Sequence, residues 1–322
     1  MLKNKQKLSE LLPELQEKVL LKNYTTFKIG GPARYFFVAK NKDDLISALK
    51  NAKKLEIPGF VIGGGSNVLF SDKGFKGLVI KIAFLGVKLE NEKIYARSGT
   101  ELSKLANFCL ENSFGGLEWA MGVPGTVGGA VFGNAQAFGD KISESVESVE
   151  VLDTKNTEIK TLSKEQCNFS LKNSIFKKNK TLIILSVVFS LKKDSRQNIQ
   201  EKIDKCLQYR KTKHPINFPS AGSVFVNPET KIKNKKIIDK YPELAQFNEK
   251  GVIPAGYLIQ KSGLARKKIG NAQISELHCN FIINLGGASA KDVFSLIKLA
   301  QRKVKNNFGI LLIPEVQFVG FK

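Results

Sequence analysis

Apolar positions along this 322-residue chain alternate between two spacings. Stretches that repeat every second residue predict strands, and stretches that repeat every three or four predict helices. Leu8, Leu11, Leu12, Leu15 and Val19 recur at helical spacing, so the pattern predicts an amphipathic helix at the start. Residues 34–40 read as a strand. A helix follows, with Asn41 and Asp44 suited to its start and Leu45, Ala48, Leu49, Ala52 and Leu55 on one face. A strand over 60–62 enters a first glycine loop, 63–69. Residues 78–84 and 93–97 read as strands and 101–112 as a helix. Three alternating runs, 145–153, 158–162 and 181–192, predict further strands. A Lys-rich helix places Ile199, Ile203, Cys206 and Leu207 on its apolar side and is broken by His214-Pro215. Residues 255–284 read as loops and strands. A last helix presents Val293, Leu296, Ile297, Ala300 and Val304, with Ser289 and Asp292 as a capping box and Asn307 and Gly309 at its end. A strand over 310–319, interrupted by Pro314, closes the chain. The pattern divides into a small lobe (1–75), a second lobe (76–205) and a third domain (206–322).

Residues 115–139 interrupt these periods. Eight of the 25 are glycine, interleaved with Trp119, Met121, Val123, Val127, Val131 and Phe132, so the stretch is no flexible linker. Gly122, Val123, Pro124, Gly125 and Thr126 read as a tight turn, with Gly125 free to take positive φ. Gly128 and Gly129 then allow close backbone approach. Such a loop can hold a diphosphate on its amides or serve as a buried turn between packed elements. The first loop, Gly63-Gly64-Gly65-Ser66-Asn67, lies about 60 residues earlier. Two such loops suggest one long dinucleotide. Neither is a G-x-G-x-x-G that opens a helix, and neither carries the Gly-Lys-Ser/Thr of a P-loop.

Charge changes this picture little. Fifty-one Lys and Arg against 29 acids give a net charge of +22. The lysines are spread along the chain, which reads as a solvated basic surface, and no nucleic-acid-binding motif accompanies them. Cys109, Cys167, Cys206 and Cys279 lack disulfide or metal spacing, so free thiols in a reducing compartment are expected. The first residues carry no apolar signal core, and no long apolar run follows. The expectation is a cytoplasmic protein without membrane insertion.

Four residues could carry chemistry. Ser223 sits in the Pro/Gly-bounded loop 219–228, as a reactive hydroxyl or as a turn serine. Glu315 stands in an apolar run after Pro314, at a site or on an exposed edge. Lys172 lies in Leu171-Lys172-Asn173-Ser174, where a surface lysine is the plain alternative. His278 reads as a structural histidine.

Several motifs together resemble the UDP-N-acetylenolpyruvoylglucosamine reductase family. They are Tyr24-Thr25-Thr26-Phe27-Lys28-Ile29-Gly30-Gly31, the loop 63–69, residues 122–130, 220–225 and 275–284, and Pro314-Glu315-Val316. The resemblance runs over 24–320, and the short loop 171–176 is similar to the family's second type. It implies an α+β fold. A two-lobe FAD-binding unit like that of vanillyl-alcohol oxidases would be joined by a smaller α+β substrate-binding domain. It implies FAD, NADPH as hydride donor and UDP-N-acetylglucosamine enolpyruvate as substrate, in peptidoglycan precursor synthesis; with His214 and His278 both beyond the predicted FAD-binding lobes, the FAD is expected to be non-covalent. The cofactor residues it implies are Tyr24, Thr26, Gly63, Gly64, Gly65, Ser66, Asn67, Gly122, Pro124, Gly125, Thr126, Gly128 and Gly129, with no metal. Ser223 would give a proton to the substrate α-carbon, and Glu315 with Lys172 would stabilise the enol. The chain departs from the family in placing Lys172 where relatives carry arginine, which keeps charge but loses a bidentate grip. Val226 and Gln260 are further departures, from lysine and glutamate. The rival readings are another FAD oxidoreductase of the superfamily, a silent FAD-binding relative, and a basic nucleic-acid-binding protein.

Overall fold

The computed structural model describes residues 8–321. The chain forms two compact units. One comprises Met1–Val19, Ala33–Gly65 and Phe75–Thr212; the other comprises Leu20–Pro32, Ser66–Gly74 and Lys213–Lys322.

The first unit holds two sheets. In the smaller, the strands run in the order Gln16–Leu20, Pro32–Ala39, Phe75–Ile82, Gly59–Ile62. The strand Phe75–Ile82 pairs parallel with both of its neighbours, Pro32–Ala39 and Gly59–Ile62. Parallel neighbours need a crossover, and the helix Lys42–Lys54 supplies one. Asn41 caps it by accepting the Asp44 amide at 2.8 Å, which satisfies one orphan donor of its first turn. Leu45, Ala48 and Ala52 are buried, as the spacing predicts. The larger sheet is antiparallel throughout, in the order Glu158–Ser163, Val146–Asp153, Leu182–Phe189, Lys93–Arg97, Val87–Glu90. Its core joins Leu105, Val149, Val187 and Phe189 to Trp119 and Val131.

Two expectations for this unit need correction. The opening helix covers only residues 8–11 of those described, and Gln16–Leu20 is a strand. Pro13 is the reason: it has no amide hydrogen and disfavours helical backbone before it. The glycine-rich stretch is not loop throughout, because Val127–Gly133 is a helix. The Lys-rich helix runs from Arg196 to Lys213 and ends before His214-Pro215, as the sequence predicts.

The second unit has an antiparallel sheet in the order Ser220–Ser223, Phe281–Asn284, Ala272–Ile274, Lys268–Ile269. The long helix Ala290–Phe308 packs on it through Val293, Leu296, Ile297, Ala300 and Val304. Its capping box of Ser289 and Asp292 forms as expected, and Gly309 ends it at φ +72°. The region 255–284 contains a helix, Ala255–Lys261, and two short helices precede it, Lys235–Lys240 and Glu243–Lys250. The closing strand shrinks to Gln317–Val319, which pairs parallel with Val68–Phe70. Residues 310–316 make a single bridge, Pro314 to Phe225. Leu311 and Ile313 stand exposed there, so apolar character in this run does not report burial. Among the described residues no helix is long and apolar enough to cross a membrane.

Candidate functional site

In the first unit the two glycine loops meet. A Cβ added to Gly63 would overlap Thr126 Oγ1, and one on Gly64 would lie 2.9 Å from Gly125 Cα. Only glycine permits backbones to pass this closely. Gly65, Gly122 and Gly125 take positive φ, at 63°, 75° and 131°. Pro124 lies between the last two. Thr126 caps the helix Val127–Gly133, its hydroxyl accepting the Gly129 amide at 3.4 Å.

Gly128 and Gly129 depart from their expected part. The Gly128 amide donates to Ser98 O at 2.8 Å, and its missing Cβ makes room for Ser98 Cβ, which would otherwise stand 2.8 Å away. Their amides serve the helix and its contact with 98–100, so they shape the loop instead of offering bare donors. The Ser98 hydroxyl beside them is buried without a hydrogen-bond partner, as is Trp119 Nε1 in the same unit. Buried polar atoms in folded proteins are normally paired. Glycine-forced contact of two loops, together with partnerless buried polar atoms, fits a polar, phosphate-bearing cofactor such as FAD.

Two cations near these loops escaped the sequence reading. Lys81 Nζ donates to Gly63 O at 3.3 Å, and burial pulls its pKa below the usual lysine value. Its signal was present: one lysine in the apolar run 78–84. Arg210 donates from Nη2 to Trp119 O at 3.0 Å, with its guanidinium 5.0 Å from the Phe138 ring centroid. Its Nε is buried and unpaired, and a Cβ on Gly122 would touch its side chain. In a Lys-rich helix nothing marks that arginine out.

Lys172 belongs to the same unit. It occupies a tight turn at φ +51°, where Ser170 and Asn173 exchange backbone bonds of 3.1 Å. Its carbonyl accepts from Lys177 Nζ at 2.6 Å. Asn134 Nδ2 holds Ser170 O at 2.8 Å, and Ser174 Oγ holds Phe132 O at 2.7 Å. The turn is thereby stitched to the end of the glycine-rich helix. A lysine kept in left-handed backbone by several bonds is costly, and such outliers gather at functional sites.

The second unit carries Ser223 and Glu315. Ser223 ends the strand Ser220–Ser223 after Gly222, whose φ is +71°. Val224 O accepts the Glu315 amide at 2.7 Å, so the candidate acid and the candidate carboxylate flank one residue. Asn67 Nδ2 donates to Glu315 O at 3.3 Å, while Asn67 Oδ1 is buried with no partner. Ser66 precedes it, half-buried. The Thr26 hydroxyl donates to Ser220 O at 2.7 Å, which ties this expected cofactor residue to the strand of Ser223. Tyr24 is half-buried at the end of the turn Leu21–Tyr24.

His278 sits in an aromatic cluster. Its ring packs at 5.4 Å from His214 and 4.9 Å from Phe281, and Nδ1 accepts the Asn280 amide at 3.3 Å. Burial lowers its pKa below 6.5. A lowered folded value means the neutral form stabilises the fold above the unfolded pKa and that contribution is lost as pH falls. The melting temperature should therefore drop on acidification from about pH 7, and less steeply for His278→Gln. Parallel curves for the two proteins would contradict this. Cys109, Cys167 and Cys279 are buried and Cys206 is half-buried, all free. Burial pushes Cys109 and Cys167 up to about 12, so neither is a ready nucleophile.

Residues 33–163 match the family profile of the FAD binding domain, and 214–319 match that of the UDP-N-acetylenolpyruvoylglucosamine reductase C-terminal domain. The UDP-N-acetylenolpyruvoylglucosamine reductase of Caldanaerobacter subterraneus is 39% identical over 98% of each chain. The chain belongs to the UDP-N-acetylenolpyruvoylglucosamine reductase family. The reductase of Caldicellulosiruptor bescii is 42% identical over 93% of this chain and 89% of its own. A crystal structure of the Thermus caldophilus reductase superposes with a TM-score of 0.75 at 30% identity, covering 95% of this chain and 99% of that one. The α+β class and the FAD-binding character expected from sequence both hold.

Proposed function

We infer that the chain carries out the reaction of its reductase family: NADPH-dependent reduction of UDP-N-acetylglucosamine enolpyruvate to UDP-N-acetylmuramate, with FAD, for peptidoglycan precursor synthesis in the cytoplasm. What supports the assignment of roles is the 2.7 Å bond that sets Glu315 and the Ser223 loop on either side of Val224. The proposed functional division is two FAD-binding lobes, 1–75 and 76–205, and a substrate domain, 206–322.

Gly63, Gly64, Gly65, Gly122, Pro124, Gly125 and Thr126 would hold the cofactor, with Gly128 and Gly129 shaping the loop. Ser66, Asn67, Tyr24 and Thr26 complete the proposed set. Lys81 beside Gly63 and Arg210 beside Gly122 bring positive charge to these loops, which suits a diphosphate. When bound, FAD supplies hydride transfer between NADPH and the substrate. Hydride addition at the vinyl carbon leaves the α-carbon needing a proton and its carboxylate carrying enolate charge. Ser223 gives the proton: a hydroxyl is a weak acid, but an enolate is a strong base. Lys172 and Glu315 balance the enol, preformed charge being the larger part of such catalysis. NADPH consumption that depends on the enolpyruvyl sugar nucleotide tests the reading; consumption indifferent to it would refute the assignment.

Two predictions follow from the residues in place. Lys172→Ala should lower turnover roughly 10²-fold, and Lys172→Arg should retain or raise it, because charge at this turn does the work. Equal rates for both variants would show that another cation does so. The flavin should also be non-covalent. Both histidines, His214 and His278, lie in the second unit within one aromatic cluster, and the buried thiols are not nucleophilic. Acid precipitation should release all flavin to the supernatant; a yellow pellet would contradict this.

A further inference from the structure

Ser223 leaves its strand at an irregularity. The ladder between Ser220–Ser223 and Phe281–Asn284 shifts register between Ser220 and Ser223, with Ser223 opposite Phe281. Beyond that point Val224 and Phe225 are buried, and their peptide groups need partners. One residue provides three of the four. Asn280 O accepts the Val224 amide at 2.8 Å. Asn280 Oδ1 accepts the Phe225 amide at 2.9 Å, and Asn280 Nδ2 donates to Phe225 O at 2.8 Å. The side-chain amide thus acts as a ladder rung where the strand gives out, with its donor and its acceptor both used on one residue, Phe225. Asn280 is 3% exposed. From Val224 the path continues through its carbonyl to the Glu315 amide.

We propose that Asn280 is the positioning residue of the proton-transfer step, clamping Val224–Phe225 so that the Ser223 hydroxyl and the Glu315 carboxylate keep one fixed register. This rests on the reading of Ser223 as the proton donor. Asparagine is required by its chemistry: the clamp uses one donor and one acceptor 2.8 and 2.9 Å from the same residue. A carboxylate of the same shape has no donor and would face Phe225 O with charge, and an apolar side chain leaves both backbone groups of buried Phe225 unpaired. Proton transfer is sensitive to such placement, since a shift of about 1 Å costs on the order of 10²-fold.

The test uses the intact FAD-loaded protein with Asn280→Ala and Asn280→Asp, each alone and combined with Ser223→Ala. Faster hydrogen exchange at the Phe225 amide confirms that the clamp is open. Bleaching by NADPH should be unchanged. Reoxidation by UDP-N-acetylglucosamine enolpyruvate should slow on the order of 10- to 100-fold. In the Ser223→Ala background the Asn280 change should add nothing, because the group it positions is gone. Equal slowing of both half-reactions, full additivity with Ser223→Ala, or unaltered reoxidation would each overturn the proposal. If Asn280→Ala does not fold, Asn280→Asp keeps the volume. Its acid, once protonated, again offers one donor and one acceptor, so reoxidation should recover as pH falls. Absence of recovery in a folded variant overturns the clamp. If Ser223→Ala alone leaves reoxidation intact, the serine assignment has failed instead, and the two failures are told apart.

Discussion

Ser223→Ala should divide the reaction in two. Bleaching of the bound flavin by NADPH requires no proton at a substrate carbon, so it should proceed at the parent rate. Reoxidation by the enolpyruvyl sugar nucleotide should slow roughly 10²-fold or more, the usual loss for a general acid. The change removes one oxygen from a half-buried loop residue whose backbone is held by its neighbours. FAD content and melting temperature should therefore barely move. Stopped-flow absorbance separates the halves. If both slow alike, Ser223 shapes a pocket shared by NADPH and substrate. If neither slows, the loop 219–228 is not catalytic.

Gly64→Ala should weaken the protein's hold on its cofactor. The added Cβ would stand 2.9 Å from Gly125 Cα and 3.3 Å from Gly125 C. Both are backbone atoms, so no side chain can turn aside. Gly125 is itself held by its carbonyl, which accepts the Leu102 amide at 3.1 Å, so the strain moves the loops apart. Overpacking of this kind costs about 1–3 kcal/mol, and every 1.4 kcal/mol is about tenfold in Kd. FAD affinity should fall on the order of 10- to 100-fold, read as flavin-to-protein ratio and by fluorescence titration. A ratio equal to the parent's would show that this contact does not govern the cofactor.

Sequence predicts the fold where local chemistry and tertiary structure agree. Lys42–Lys54 carries its cap, its acidic first turn and its apolar face in consecutive residues. Lys93–Arg97 and the capping box of Ala290–Phe308 were equally plain. It fails where one residue or a distant partner decides. Pro13 ends a helix that the leucine spacing alone would continue. Val127–Gly133 is a poor helix by propensity, with Gly128, Gly129 and Gly133 in seven residues, and is held by bonds to Ser98 and Thr100. Leu311 and Ile313 imitated a buried strand while standing exposed.

The site divides in the same way. The glycines that must lie close together were visible as glycines, because no other residue allows that approach. Ser223 and Glu315 were not separable from a turn serine and an edge acid by local pattern, and only the family resemblance singled them out. Asn280 acts across 55 positions of sequence, and no local signal could have revealed it. Arg210 was hidden among lysines, while Lys81 could have been found as one charge in an apolar strand.

The most direct measurement is an anaerobic single turnover. The protein is first bleached with one equivalent of NADPH, freed of nucleotide, and mixed with UDP-N-acetylglucosamine enolpyruvate. The yellow colour should return, and UDP-N-acetylmuramate should form at one per flavin. A protein that stays bleached, or that regains colour without forming that product, would contradict the function assigned to this chain.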